Sequence, residues 1–101
     1  MLPKRKKVRI TGKKLSKLND DIHGRDDSKC IIKGCGRYVD PREKFHHEPQ
    51  GNDKEDRIEH GVTLCLKHHT ERHSGTNGAD IREQCEEYLS GLYPKYWERF
   101  M

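Results

Sequence analysis

The fold is decided by Phe45-His46-His47-Glu48 together with Thr63-Leu64-Cys65-Leu66-Lys67-His68-His69-Thr70-Glu71-Arg72-His73. Six of the seven histidines of the chain lie between His46 and His73. Imidazole is neither a strong hydrophobe nor a constant charge at neutral pH, so folding alone does not require this density. Metal coordination and proton transfer are the tasks that use clustered imidazoles. The stretch therefore predicts a metal-dependent centre with a structural zinc beside it.

The composition indicates one small domain with a thin apolar core. Hydrophobic residues make up 30% of the 101 residues and charged residues 38%. Domains of this size often need a metal or a disulfide to stabilise them. We find no secretory signal and no apolar run long enough to cross a membrane, so we expect a soluble, cytoplasmic protein with no membrane partner. In that reducing compartment, clustered cysteines are expected to bind metal rather than form disulfides.

The N-terminus carries a strong positive charge. The first 18 residues hold eight basic side chains and no acidic one, whereas the rest of the chain has an excess of acids. Because this segment has few apolar anchors and repels itself, residues 1–14 are predicted to form a disordered arm. Contact with nucleic-acid phosphates is favoured over a solvated tail that only aids solubility. The predicted DNA-binding residues are Lys4, Arg5, Lys6, Lys7, Arg9, Lys13 and Lys14.

The elements around the histidines are predicted in the order strand, long loop, strand, helix. Residues 61–64 favour a short strand, because they are β-branched and apolar. Residues 44–48 are also predicted as a short strand, with neighbouring side chains on alternate faces, and the residues between the two strands form a turn-rich loop. Residues 66–73 favour a helix. This order is that of a ββα unit over about residues 44–74, within a small α+β domain covering residues 15–101.

Two helices are predicted to flank this unit. Near the N-terminus, one face of a short, weak helix is formed by Leu15, Leu18 and Ile22. Apolar residues also recur at helical spacing over about residues 79–92, the best amphipathic pattern in the chain. An aromatic tail follows, made of Tyr96, Trp97 and Phe100. Packing on the domain is favoured for this tail, and base stacking is the alternative.

A structural zinc site is predicted from cysteine spacing. Cys30 and Cys35 are separated by four residues and the second is flanked by glycines, a pattern typical of a zinc half-site. Cys65 and His68 form the most direct second half-site, giving a closed site of three thiolates and one imidazole. Cys85 competes with His68 for the fourth position. His68 is favoured on spacing, because Cys85 lies on the apolar face of the last predicted helix.

The remaining histidines predict a second, catalytic metal centre. His69 and His73 are one helical turn apart, so their imidazoles share a helix face and can bind one metal. His46 and His47 are neighbours on a strand and point to opposite faces, so His46 can complete the ligand set while His47 acts as a general base. The expected cofactor is a divalent cation (Mg²⁺, Mn²⁺, Ni²⁺ or Zn²⁺), in addition to the structural zinc.

Several spacings agree together with one known family. The residues with these spacings are the pair His46-His47, the stretch His60-Gly61-Val62-Thr63-Leu64-Cys65-Leu66-Lys67-His68-His69, and His73. Over residues 25–75 the chain resembles the HNH endonuclease family, and its zinc-finger-bearing phage members in particular. The resemblance implies a ββα-metal fold and hydrolysis of duplex DNA to 5′-phosphate ends. It also implies a link to genome packaging, with phage terminase subunits as partners, in the host cell cytoplasm.

By the same resemblance, His47 is the general base and His46, His69 and His73 are metal ligands. Two positions depart from the family pattern. His60 stands where asparagine is most common, so the resemblance implies that it holds the loop and orients the base, or else approaches the metal. The zinc knuckle usually ends in cysteine, whereas here it ends in His68.

A second function class fits part of the same sequence. A non-catalytic zinc-binding DNA-binding module explains the cysteines and the basic arm. It does not explain His46 beside His47, or His69 one turn before His73. The nuclease is therefore the favoured prediction, and the binding module is the alternative.

Overall fold

The histidine-rich stretch folds as two short strands followed by a helix. A computed structural model describes residues 7–51 and 54–98. Its elements are α1 (Gly12–Arg25), β1 (His46–His47), a 3₁₀ turn (Ile58–His60), β2 (Gly61–Val62), α2 (Leu66–Ser74), α3 (Gly78–Leu92) and α4 (Pro94–Trp97). Within these ranges no helix is both long enough and apolar enough to cross a bilayer. The chain thus has the small α+β fold that the sequence predicts.

Strands β1 and β2 form an antiparallel pair in the centre of the domain. His46 lies opposite Val62 and His47 lies opposite Gly61. A Cβ atom at position 61 would overlap the side chain of Ile22 and approach Phe45 Cδ2 to 2.7 Å, so only glycine fits here. Each predicted strand is shortened to two residues. The Phe45 N–H donates to the Asn19 side chain and the Thr63 N–H to Asp26 Oδ2, so these groups do not extend the pair. The Glu48 N–H continues the pairing by one bond to the His60 carbonyl.

The segment around Cys30 and Cys35 forms a tight turn. Gly34 and Gly36 have φ angles of 81° and 60°, a backbone conformation that glycine adopts without strain. The Cys30 N–H donates to the carbonyl of Arg37 at 2.9 Å and closes the turn at its base. Both cysteine side chains are thereby directed toward the start of α2.

Helix α3 contributes three buried side chains to the apolar core. Ile81, Cys85 and Leu89 are at most 2% exposed, as their helical spacing predicts. Leu92 continues the same pattern but is 45% exposed, because α3 ends there and the chain turns into α4. In the aromatic tail Trp97 is buried, its indole N–H donates to the carbonyl of Glu59, and Tyr96 packs against the core. Phe100 lies outside the described residues.

Helix α1 is longer than its three apolar residues predict. It covers 14 residues rather than about two turns, and Ile22 is its fully buried anchor. Residues 1–6 of the predicted disordered arm lie outside the described residues. Val8 and Ile10, which belong to the same predicted arm, make defined hydrogen bonds to Glu55 and Asp56. This part of the arm is therefore attached to the domain, a contact between segments 46 or more residues apart that no local pattern predicts.

A buried carboxylate at the end of α1 joins three parts of the core. Asp26 Oδ1 accepts hydrogen bonds from Arg25 Nε and from the Tyr88 hydroxyl, at 2.7 and 2.6 Å. Its Oδ2 accepts from Arg25 and from the backbone N–H of Thr63, at 3.0 and 2.9 Å. Asp26 is 7% exposed, so these four donors compensate the cost of removing its charge from water.

Replacing Asp26 with asparagine should lower the free energy of unfolding by about 3–5 kcal/mol. In either orientation the amide nitrogen faces two hydrogen-bond donors, and the Arg25 charge loses its partner. Asp27→Asn is the matched control, because its side chain is 86% exposed and should change stability little. Urea unfolding measures both variants, and equal midpoints would contradict the structural role of Asp26.

Candidate metal centres

The structure brings the four predicted zinc ligands together. The ligand atoms of Cys30, Cys35, Cys65 and His68 all lie within 4.8 Å of one another. His68 Nδ1 is 3.4 Å from Cys30 Sγ and 3.3 Å from Cys65 Sγ, and the sulfurs of Cys35 and Cys65 are 3.9 Å apart. The two half-sites, 30 or more residues apart in the chain, therefore face a common point.

These separations match the edges of a zinc tetrahedron. Usual zinc–sulfur and zinc–nitrogen bond lengths give edges of about 3.8 Å between sulfurs and about 3.6 Å between sulfur and nitrogen. Burial raises the pKa of the Cys30 thiol, so its proton must be displaced when a metal binds. The group could hold a structural metal such as zinc. Cys85 is not part of the group and is fully buried in the core on α3.

Basic side chains surround the outer side of this cysteine–histidine group. A cavity of about 300 Å³ is lined by Lys33, Arg37 and Lys67 as well as by Cys35, Cys65 and His68. Three thiolates on one Zn²⁺ leave a net negative charge, which neighbouring cations stabilise. The electrostatics of the cavity therefore agree with a cluster of thiolates.

A second group joins β1 to α2. The ligand atoms of His46, His69 and His73 lie within 4.8 Å of one another. The His46 ring centroid is 5.1 Å from that of His69 and 5.5 Å from that of His73. Burial, together with the charges of the other two imidazoles, lowers the pKa of His69 to about 4. Burial and the neighbouring His46 also lower the pKa of His73. Neutral imidazoles are the form that binds metal, so the three rings could hold a cation.

A buried ion pair supports this three-histidine group. Both Glu48 oxygens accept hydrogen bonds from Arg72 at 2.9 Å, and Glu48 Oε2 is 3.2 Å from His46 Nε2. Burial opposes ionisation of Glu48, but the bonds from Arg72 and His46 lower its pKa overall. Arg72 lies on α2 between His69 and His73, so the pair ties the helix to the end of β1. No sequence pattern predicted a role for Glu48 or Arg72. Arg72 is nevertheless three residues after His69, so helical spacing alone places the two side chains near each other.

His47 has a carboxylate partner that sequence analysis missed. His47 Nε2 is 2.8 Å from Asp56 Oδ1, and its ring packs against that of Phe45 with the centroids 4.6 Å apart and the planes tilted by 46°. Burial lowers the pKa of His47, while the nearby Asp56 opposes that shift. Asp56 remains ionised, because hydrogen bonds from His47, Ile10 N–H and Arg9 overcome burial and lower its pKa to about 2. Asp56 lies in the loop predicted between the two strands, and no residue pattern in that loop predicts a contact with His47.

His60 is a link between two segments rather than a member of the three-histidine group. Its Nδ1–H donates to the carbonyl of Glu48 at 2.9 Å, and its Nε2 is 2.7 Å from the Tyr96 hydroxyl. Glu48 N–H donates in turn to the carbonyl of His60. His60 therefore fixes the end of β1, immediately after His47, and joins it to α4.

The predicted DNA-binding residues have different surroundings. Lys4, Arg5 and Lys6 lie outside the described residues, and Lys7, Lys13 and Lys14 are exposed. Arg9 Nε instead donates to Asp56 Oδ2 at 3.0 Å, with half of its side chain exposed. Its guanidinium is thus already engaged in an ion pair within the domain.

Comparisons with protein-family models, with curated proteins and with solved structures gave no match for this chain.

Cys30→Ala should remove the structural metal, because the tetrahedral group then loses a thiolate. The expected result is loss of one bound zinc per chain and a lower melting temperature, measured by elemental analysis and calorimetry. Cys85→Ala is the control, since it deletes a buried thiol outside the group and should keep the zinc. Zinc retained in Cys30→Ala, or lost in Cys85→Ala, would contradict the ligand assignment.

Proposed function

We propose that the protein is a metal-dependent DNA endonuclease of the HNH class, which hydrolyses phosphodiester bonds in duplex DNA with one catalytic metal. The observation that carries this proposal is the pair of neighbours on β1. His46 belongs to a group of three imidazoles, and His47 beside it is paired with a buried carboxylate. A ligand set and a supported base at adjacent positions are the two parts that metal-assisted hydrolysis requires.

The pairing with Asp56 determines which nitrogen of His47 can act. The ionised Asp56 carboxylate accepts a hydrogen bond from Nε2–H, so Nδ1 carries the free lone pair. In the proposed reaction, Nδ1 takes a proton from the attacking water, and the resulting imidazolium is stabilised by Asp56. The contact of the His47 ring with the Phe45 ring limits rotation of His47 away from this position.

The catalytic cation would be held by His46, His69 and His73. A divalent cation there would offset the charge that develops on the scissile phosphate and the leaving oxygen. Glu48 and Arg72 hold the ends of β1 and α2 against each other, so the three imidazoles stay converged. His60 has a supporting role in this proposal, because it secures the Glu48 backbone directly after the base.

The wider setting follows from the same proposal. The pair β1–β2 with α2 forms the ββα-metal core, and the cysteine–histidine group is its structural zinc knuckle. The basic residues of the arm other than Arg9, including the exposed Lys13 and Lys14, contact DNA phosphates, which makes binding strongly salt-dependent. We infer action in the host cytoplasm beside phage terminase subunits from the family resemblance alone.

His47→Ala should reduce the single-turnover rate of plasmid nicking by about 10²–10⁴-fold, because the proton acceptor is lost. Nicking of supercoiled plasmid would be followed with magnesium, manganese, nickel and zinc. Glu43→Ala, an exposed change in the preceding segment, should cleave like the wild type. Nicking by His47→Ala at the wild-type rate would refute the base. DNA binding without any nicking by the wild type would favour the binding module instead.

The nicking rate should fall on acidification with a midpoint below pH 6.5. His47 must be unprotonated to accept a proton, and burial holds its pKa below the usual 6.5. The rate is therefore retained at pH 6.5 and lost only as the pH falls through the lowered pKa. A pH–rate profile at saturating protein measures the midpoint, and a value above 6.5 would contradict a buried neutral base.

A further inference from the structure

The segment Val8–Ile10 lies along the loop that carries Asp56. Asp56 N–H donates to the Val8 carbonyl at 2.8 Å, and Val8 N–H donates to Glu55 Oε1 at 3.2 Å. Ile10 N–H and Arg9 Nε both donate to Asp56 Oδ2, at 2.9 and 3.0 Å. Two backbone groups and one side chain of the N-terminal segment therefore bind Asp56 directly.

The two oxygens of Asp56 face different partners. Oδ2 receives the N-terminal donors, while Oδ1 is 2.8 Å from His47 Nε2. The Asp56 side chain is 1% exposed, so water does not replace these partners. Residues 54–56 belong to no helix or strand, and the ladder of β1 and β2 does not position them. The orientation of this carboxylate is instead fixed from the N-terminal side.

We propose that Val8–Ile10 is a positioning segment for the general base, acting through Asp56. This inference rests on the proposed function, because it assigns to His47 the role of base. It changes the role of the basic arm: besides attracting DNA, the arm orients the group that activates water. Arg9 belongs to the positioning segment rather than to the phosphate contacts, since its guanidinium is held by Asp56.

Mutations in an arm that only binds DNA should have different effects from mutations in a segment that positions the base. Loss of a phosphate contact weakens DNA affinity and leaves the rate of bound complexes unchanged. Loss of a positioning contact lowers the rate at saturating protein and leaves the affinity nearly unchanged. A purely structural contact lowers the melting temperature without either pattern.

The first experiment measures single-turnover nicking at saturating protein, together with the DNA dissociation constant and the melting temperature. Asp56→Asn should lower the saturating rate about 10–100-fold, as is usual for groups that orient a reacting residue. Arg9→Gln should lower it by up to about fivefold, and Arg9→Lys should restore most of that loss. Arg42→Gln is the matched control, because it removes an exposed Arg–Asp pair far along the chain and should leave the rate unchanged.

The double variant tests whether Arg9 acts through Asp56. In the Asp56→Asn background, Arg9→Gln should have no further effect on the saturating rate. An equal effect of Arg9→Gln in both backgrounds, or an effect on DNA affinity alone, would overturn the proposal. If His47→Ala nicks like the wild type, the proposed function fails, and this result is distinct from a failure confined to Arg9.

The second experiment does not depend on cleavage of DNA. In protein labelled with ¹⁵N-histidine, nuclear magnetic resonance should show His47 as the Nε2–H tautomer. Arg9→Gln and Asp56→Asn should broaden or shift that signal, whereas Arg42→Gln should leave it unchanged. A His47 signal that is identical in the wild type, Arg9→Gln and Asp56→Asn would overturn the inference, whatever the cleavage assays report.

Discussion

The approach of Cys30 and Cys35 to Cys65 and His68 is the constraint on which the rest of the structure depends. A surface helix is usually held by its apolar face. Helix α2 contains no fully buried residue, so it lacks such a face. Its start is held instead by the cysteine–histidine group, and its later part by the ion pair of Arg72. In a chain with 30% hydrophobic residues, a cysteine–histidine group that could hold a metal and a buried charge pair make contacts at this helix that apolar side chains do not supply.

The cysteine–histidine group also affects the position of the three-histidine group, because both groups include residues of α2. Adjacent helical residues are about 100° apart around the axis. When His68 faces the cysteines, His69 and His73 face His46 on β1. A single orientation of α2 about its axis therefore brings together the side chains of both groups. Two buried carboxylates complete the arrangement: Glu48 contacts His46 and Arg72, and Asp56 contacts the neighbouring His47. Each is paired with donors, as buried charge requires.

Much of the fold could be predicted because its signals are local. The spacing of Ile81, Cys85 and Leu89 predicts the core face of α3, and the cysteine spacing predicts the group that includes His68. Boundaries were less predictable. The strands are two residues long and α1 begins at Gly12, because pairing partners and loop contacts, rather than residue preferences, decide where these elements end. The exposure of Leu92 likewise follows from the turn into α4.

The sequence by itself determined the element order, the two sets of metal-ligand candidates and the charge of the arm, since each depends on residue type and short spacing. Only the tertiary structure decided the partners of His47 and His60, the pairing of Arg72 with Glu48, and the docking of Val8–Ile10 on Asp56. These contacts join residues that are at least 9 positions apart in the chain. A hydrogen bond across such a separation depends on how whole segments pack, and it leaves no periodic trace in the chain.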